Sequence, residues 1–261
     1  MRREKFTKNP LRKNLLTGAS LALISFILLL TPAAGRADVN PSSAEMAAGI
    51  ESHLYQAGIY KHGHVDVSVR NGVATLTGTV DSYGEKLRAL RAARHQHGVR
   101  TVMDNIVVNP EGIPPREVLN KARYDVLTYP FYTIFDHITL EAKGNRLIVG
   151  GQVTEPFKKS DLGSILANIR GVTFLQNNIQ VLPTSFYDDH IREEIAESIY
   201  GDPMFAGYGD QANPPIHIVV DNGQVTLYGA VNSNVDREEA MIDARFAATY
   251  FGLKNDLRVV A

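Results

Sequence analysis

"VRNGVATLTGTVDSYGEK", residues 69–86, decides the fold because the chain writes it a second time. Apolar and polar residues alternate from Val73 to Val80, the mark of a strand with one buried face. Asn71-Gly72 precedes it, and both residue types tolerate the positive φ that a two-residue hairpin turn demands. Residues 219–238, "VVDNGQVTLYGAVNSNVDRE", repeat the pattern at an offset of 151. At that offset Leu76 meets Leu227, Gly78 meets Gly229 and Val80 meets Val231. The match runs without a gap from Val65, opposite Ile216, to Val108, opposite Val259.

A third version lies between them, at an offset of 73 from the first. Ile138, Leu140 and Ala142 stand for Val65, Val67 and Val69, and Leu147, Val149, Gly151 and Val153 stand for Ala74, Leu76, Gly78 and Val80. Its turn residues are swapped, Gly144-Asn145 in place of Asn71-Gly72. Three versions in one register make the chain a tandem array, and the repeat outweighs any local propensity.

Each copy opens with apolar residues at helical spacing: Met46, Ile50, Leu54; Leu119, Ala122, Val126; Ile191, Ile195, Ile199. A hairpin follows, then a second helix near residues 84–97, 157–169 and 235–249, then a short strand. The expected class is α+β: three tandem α-β-β-α-β units, each with two helices on one face of a three-stranded mixed sheet. The crossover through the second helix makes the last strand parallel to the second. The mid-strand glycines Gly78, Gly151 and Gly229 are expected where a helix presses on the sheet. The units span residues 44–109, 116–182 and 187–260, and the third carries an inserted loop at 200–215. At about 65 residues each is marginal alone, and short Pro-bearing links favour contact between neighbours.

Residues 1–37 read as a secretory signal peptide. Six Lys/Arg precede the uncharged apolar run Leu15–Leu30, and small Gly35 and Ala37 suit cleavage. The run of 16 residues is short for a spanning helix, though an uncleaved anchor stays open. The expected location is the periplasm. The chain has no Cys, which excludes disulfides, thiolate metal sites, a Cys nucleophile and a lipoprotein anchor. Without residues 1–37 there remain 20 basic and 27 acidic residues, a net of −7. That excludes a uniformly basic nucleic-acid surface.

The alternating strand, Asn-Gly, "VTLYGAV", the acidic-basic helix and the closing Gly-Val and Asn-Ile strand resemble the BON domain, the module of bacterial osmotically inducible and nodulation proteins. The resemblance covers all three units. It implies an exported or envelope-associated, non-catalytic protein that contacts phospholipid and supports envelope integrity or stress tolerance. The insert in copy 3 departs from the pattern.

No convergent chemistry is legible. His62-Gly-His64 and His95-Gln-His97 have spacing a metal could use, but His64 aligns with His137 and then with Pro215, which marks a strand entry. Asp188-Asp189-His190 suits a helix N-terminus. No P-loop or nucleotide-type glycine loop is present. The expectation is therefore no enzyme, no cofactor and no metal.

Two functions remain: a module on an anionic phospholipid surface, or a periplasmic scaffold for an envelope protein or cell-wall polymer. Copy 1 carries seven basic and six acidic residues, copy 2 eight and seven, and copy 3 five and 13. Lipid contact is thus expected through copies 1 and 2. In copy 1, Leu87, Leu90 and Ala93 should face the sheet, leaving Arg88, Arg91 and Arg94 on the flank. In copy 2 the segment "LTYPFYTIF" offers Tyr129, Phe131 and Tyr132 to a membrane interface. The copy 3 insert, with Met204, Phe205 and Tyr208, suits packing against a neighbouring copy as well as against its own.

Overall fold

The alternation and the turn residues produce three hairpins, each closed by a crossover helix. The structure is a computed structural model that describes residues 41–61, 63–109 and 112–260. The expected signal peptide and His62 lie outside the described residues.

In copy 1, α1 (Ser43–Gln56) leads to β1 (His64–Arg70), β2 (Val73–Val80), α2 (Tyr83–His95) and β3 (Thr101–Val108). Ser42 opens α1 with a capping box to Glu45, and Ser82 caps α2. β1 pairs antiparallel with β2, and β3 pairs parallel with β2, so β2 is central. Met46, Ile50 and Leu54 of α1 bury against Ala74 and Leu76 of β2 and Ala89, Leu90 and Ala93 of α2. The two helices share one sheet face because only that face is apolar.

Copy 3 repeats this with α5 (Phe186–Gly201), β8 (Ile216–Asp221), β9 (Gln224–Val231), α7 (Asn234–Ala247) and β10 (Gly252–Val259). Asn71 and Asn222 take φ of 51° and 50°, and Gly72 and Gly223 are positive as well. That is the turn which twists with a hairpin. The insert adds a short 3-10 turn and α6 (Ala206–Gly209). Phe205 and Tyr208 bury in copy 3's own core, and the Tyr208 hydroxyl bonds to Asp236. The insert therefore completes its own unit, while Met204 stays exposed.

Copy 2 consists of α3 (Pro115–Leu127), β4 (His137–Lys143), β5 (Arg146–Val153), α4 (Pro156–Ala167), β6 (Phe174–Asn177) and β7 (Gln180–Val181). Its last strand is broken, so its sheet has four strands rather than three. β6 and β7 keep one register on β5, and the gap falls opposite Gly150-Gly151. Two successive glycines offer the ladder no side chains to pack. The swapped turn has a second use. Only Gly144 takes positive φ there, and the Asn145 amide donates to the carbonyls of Ile113 and Gly171, tying down both flanking loops.

The mid-strand glycines correct an expectation. Gly78, Gly151 and Gly229 have φ of 144°, 102° and 119°. A Cβ there would stand 2.0, 1.9 and 1.8 Å from the carbonyl oxygens of His64, His137 and Pro215. The crowding neighbour is the entry of the paired strand, not a helix.

Candidate functional site

α2 of copy 1 lies beside α4 of copy 2, and the groove between them holds the expected basic residues. Gly84, in the first turn of α2, meets the end of α4: an added Cβ would stand 2.4 Å from Asn168 Oδ1. The loops fasten the contact. Tyr83 N–H donates to the Val172 carbonyl at 2.9 Å, and Gly171 N–H donates to the Asp81 carbonyl at 3.0 Å. Arg170 pairs with Asp81 at 3.0 Å. The Tyr83 and Phe174 rings meet at 5.2 Å.

The groove has a volume of about 500 Å³. Leu87, Arg88 and Arg91 line one wall, and Ser160, Gly163 and Ser164 line the other. Leu87 does not face the sheet as expected. The inward stripe of α2 is Glu85, Ala89, Leu90 and Ala93, so Leu87 falls on the groove side. Arg88 donates to Asn168 Oδ1, which ties it to the junction. Arg91 and Arg94 are exposed.

The aromatic segment of copy 2 divides between two tasks. Tyr129 is buried in the copy 2 core, with its hydroxyl donating to Asp161 at 2.7 Å. Tyr132 is mostly buried, and its ring lies 5.3 Å from that of His217 in copy 3. Burial pushes both hydroxyls' pKa values up. These two residues are thus withdrawn from a membrane surface, because the cores on either side consume them. Phe131 is 55% exposed and packs edge-on against Phe157, itself 44% exposed, at 5.4 Å. Phe157 lies one helical turn before Ser160 on α4. Exposed cations thus come from α2 of copy 1, and exposed rings from copy 2.

Ile134 and Phe135 carry the segment into the core of copy 3, and the Ile134 carbonyl accepts from Ile218 N–H at 2.7 Å. His137 stacks on Tyr228 at 4.0 Å with planes 2° apart. Burial, then His217 and Arg258 nearby, lower the His137 pKa to about 4, against the pull of Asp256. Asp136 is fully buried and accepts from Thr133, from Thr154 and from Lys158 Nζ at 2.7 Å. A buried charge needs such partners.

The other polar candidates have structural tasks. Asp188 accepts from the backbone N–H groups of Asn222 and Gly223, holding α5 to the copy 3 hairpin. His95 bonds to the Arg91 carbonyl, and His64 pairs with Asp66. One metal-spaced group occurs among the described residues: Asp202, Glu239 and Asp243, with oxygens within 4.8 Å of one another. Burial, then Asp202 and Glu239, raise the Asp243 pKa to about 6. Sequence reading missed this cluster because Asp202, at the end of α5, lies far along the chain from Glu239 and Asp243 of α7. Among the described residues no helix is long and apolar enough to cross a membrane.

A model of the BON domain matches residues 42–110 and 187–261, the first and third copies. The unmatched middle copy has the swapped turn and the broken strand. An uncharacterized protein in the gshII 5' region of Anaplasma centrale is 38% identical over 69 residues, 26% of this chain and 44% of that protein. The chain thus spans under half the length of this curated relative. Among solved structures, the C-terminal domain of CdsD from the type III secretion system of Chlamydia trachomatis is 15% identical, covering 85% of this chain and all of that one, with a TM-score of 0.23. The periplasmic domain of PrgH from S. typhimurium is 12% identical, covering 79% and 99%, with a TM-score of 0.20. Superpositions this loose carry no argument about function.

Proposed function

Because this chain belongs to the BON-domain family, we propose that it is a non-catalytic envelope module which rests on an anionic phospholipid surface through copies 1 and 2. In this reading residues 1–37 direct export to the periplasm, and units 44–109, 116–182 and 187–260 remain as the working protein. The observation that carries it is the make-up of the two copies: Arg91 and Arg94 stand exposed on α2 of copy 1 with Leu87, and Phe131 and Phe157 of copy 2 form an exposed edge-on pair. Cations near an anionic bilayer contribute about 1 kcal/mol each, and rings favour the headgroup level. Copy 3, at −8, faces away from such a surface. Envelope integrity or stress tolerance is the role this contact would serve.

Vesicle flotation tests the proposal. The chain should float with anionic vesicles, less well at high salt, and poorly with neutral ones. Arg91→Ala with Arg94→Ala should weaken binding several-fold and flatten its salt dependence. Phe131→Ala with Phe157→Ala should weaken it with the salt slope intact. A parent that floats on no vesicle sinks the lipid reading. The scaffold reading then takes its place, favoured by the exposed apolar residues of α7.

A further inference from the structure

α7 and α4 are the same helix in two copies, yet their outer faces differ. The strand registers fix the equivalence: Arg146 pairs with Phe174, and Gln224 pairs with Gly252, 78 positions on. On α4 the outer face is Gly163, Ser164 and Asn168, small or polar, and α2 covers it. At the equivalent place on α7, Ile242 is 44% exposed and Phe246 is 82% exposed. Val235, equivalent to Gly84 of α2, is 65% exposed. Exposed apolar residues at this spacing form one stripe along a helix. Nothing else among the described residues covers it, and it stands outside the lipid-facing junction.

We infer that the outer face of α7 is a homodimer contact, with a second copy of this chain as its occupant, paired as α2 pairs with α4. The in-chain junction supplies the geometry. There Gly84, at the start of α2, lies against Asn168, at the end of α4. Transferred to α7, position 84 becomes Val235 and position 168 becomes Phe246. One helix type can then play both parts: Val235 of each copy meets Phe246 of the other, and the contact closes as a two-fold. The larger side chains at these positions set the helices farther apart than at Gly84. Charge suits the pairing locally. Arg245 of each copy falls beside the start of the other α7, where Asp236, Glu238 and Glu239 outnumber Arg237. Globally, two units of −8 repel. The dimer should therefore be weak, with Kd roughly in the micromolar range or above, given one helix pair of contact. It should tighten as salt screens the repulsion, the opposite of the lipid contact.

The test uses the full sequence, expressed and purified as the cell processes it. Sedimentation across a concentration series should show a monomer–dimer equilibrium that salt favours. Phe246→Glu, at a position exposed in the monomer, should raise Kd at least about tenfold with an unchanged melting profile. The chain has no Cys, so a Val235→Cys, Phe246→Cys variant gives a clean crosslink. These positions are too far apart on one helix to bridge within a chain. Oxidation should therefore trap a covalent dimer, suppressed by dilution. A parent that stays monomeric at all concentrations and salts, with no crosslinked species, overturns the proposal. So does a monomeric parent whose vesicle binding fails on Phe246→Glu, since the stripe would then face a bilayer.

Discussion

The two junctions in this chain are built from different materials. Copies 1 and 2 meet mainly through backbone hydrogen bonds, a surface ion pair, a single ring pair and a helix contact that leaves a groove open. Copies 2 and 3 meet mainly through apolar side chains and rings: Ile134 and Phe135 enter the third core, Tyr132 lies tilted against His217, and His137 stacks on Tyr228. The first junction keeps side chains free for a partner. The second spends them on cohesion. An array of marginal units thus gains stability at one joint and accessible surface at the other.

The largest expected effect comes from the buried ion pair of copy 2, which lies beside the second junction. Asp136→Ala removes the partner of buried Lys158 and the acceptor for Thr133 and Thr154. The loss should be about 3–5 kcal/mol, read by urea denaturation. The ion pair that crosses the first junction is exposed on its Arg170 side, and Asp81→Ala there should cost under about 1 kcal/mol. Equal losses from the two changes would erase the distinction.

Acid should loosen the same joint. His137 has its pKa lowered from 6.5 to about 4 by burial, then by His217 and Arg258. His217 is lowered as well, chiefly by burial. Between these values the unfolded chain binds protons that the folded chain refuses, so stability rises with pH. The contribution is whole above pH 6.5 and is lost as pH falls toward 4. Denaturation midpoints at pH 7 and 5 should differ, and His137→Phe, which keeps a stacking ring, should narrow the gap. An unchanged gap would assign the acid effect elsewhere.

The repeat made the architecture legible. Once Leu76, Leu147 and Leu227 align, hairpins, crossovers and strand order follow from the period of two and the turn residues. The break in the third strand of copy 2 hides in Gly150-Gly151, which local reading passes as an ordinary strand. The site was half legible. Arg91 and Arg94 lie exposed as their helical spacing requires. Tyr129 and Tyr132 carry the same local pattern as Phe131, and only tertiary packing, within copy 2 and against copy 3, decides which ring is buried. The apolar stripe of α7 was equally hidden, because apolar residues stand on more than one face of that helix and only the burial of Ala240 and Ala244 shows which face packs inward.

The smallest effect should be the most local one. Gly84→Ala places a methyl 2.4 Å from Asn168 Oδ1 and 3.1 Å from the Ala167 carbonyl carbon. The Asn168 side chain can rotate away, giving up its bonds to Arg88 and the Ser164 carbonyl. The backbone must yield by a few tenths of an ångström. Against this, alanine is favoured over glycine in a helix by up to about 1 kcal/mol. Global stability should therefore change little, while the first junction opens more often. Hydrogen exchange can see that directly. The amides of Tyr83 and Gly171 bridge copies 1 and 2, and the amide of Ile218 bridges copies 2 and 3. In the variant the first two should exchange several-fold faster and the third should not change. If Ile218 accelerates with them, the junctions open as one unit, and the division of labour between a cohesive joint and an accessible one fails.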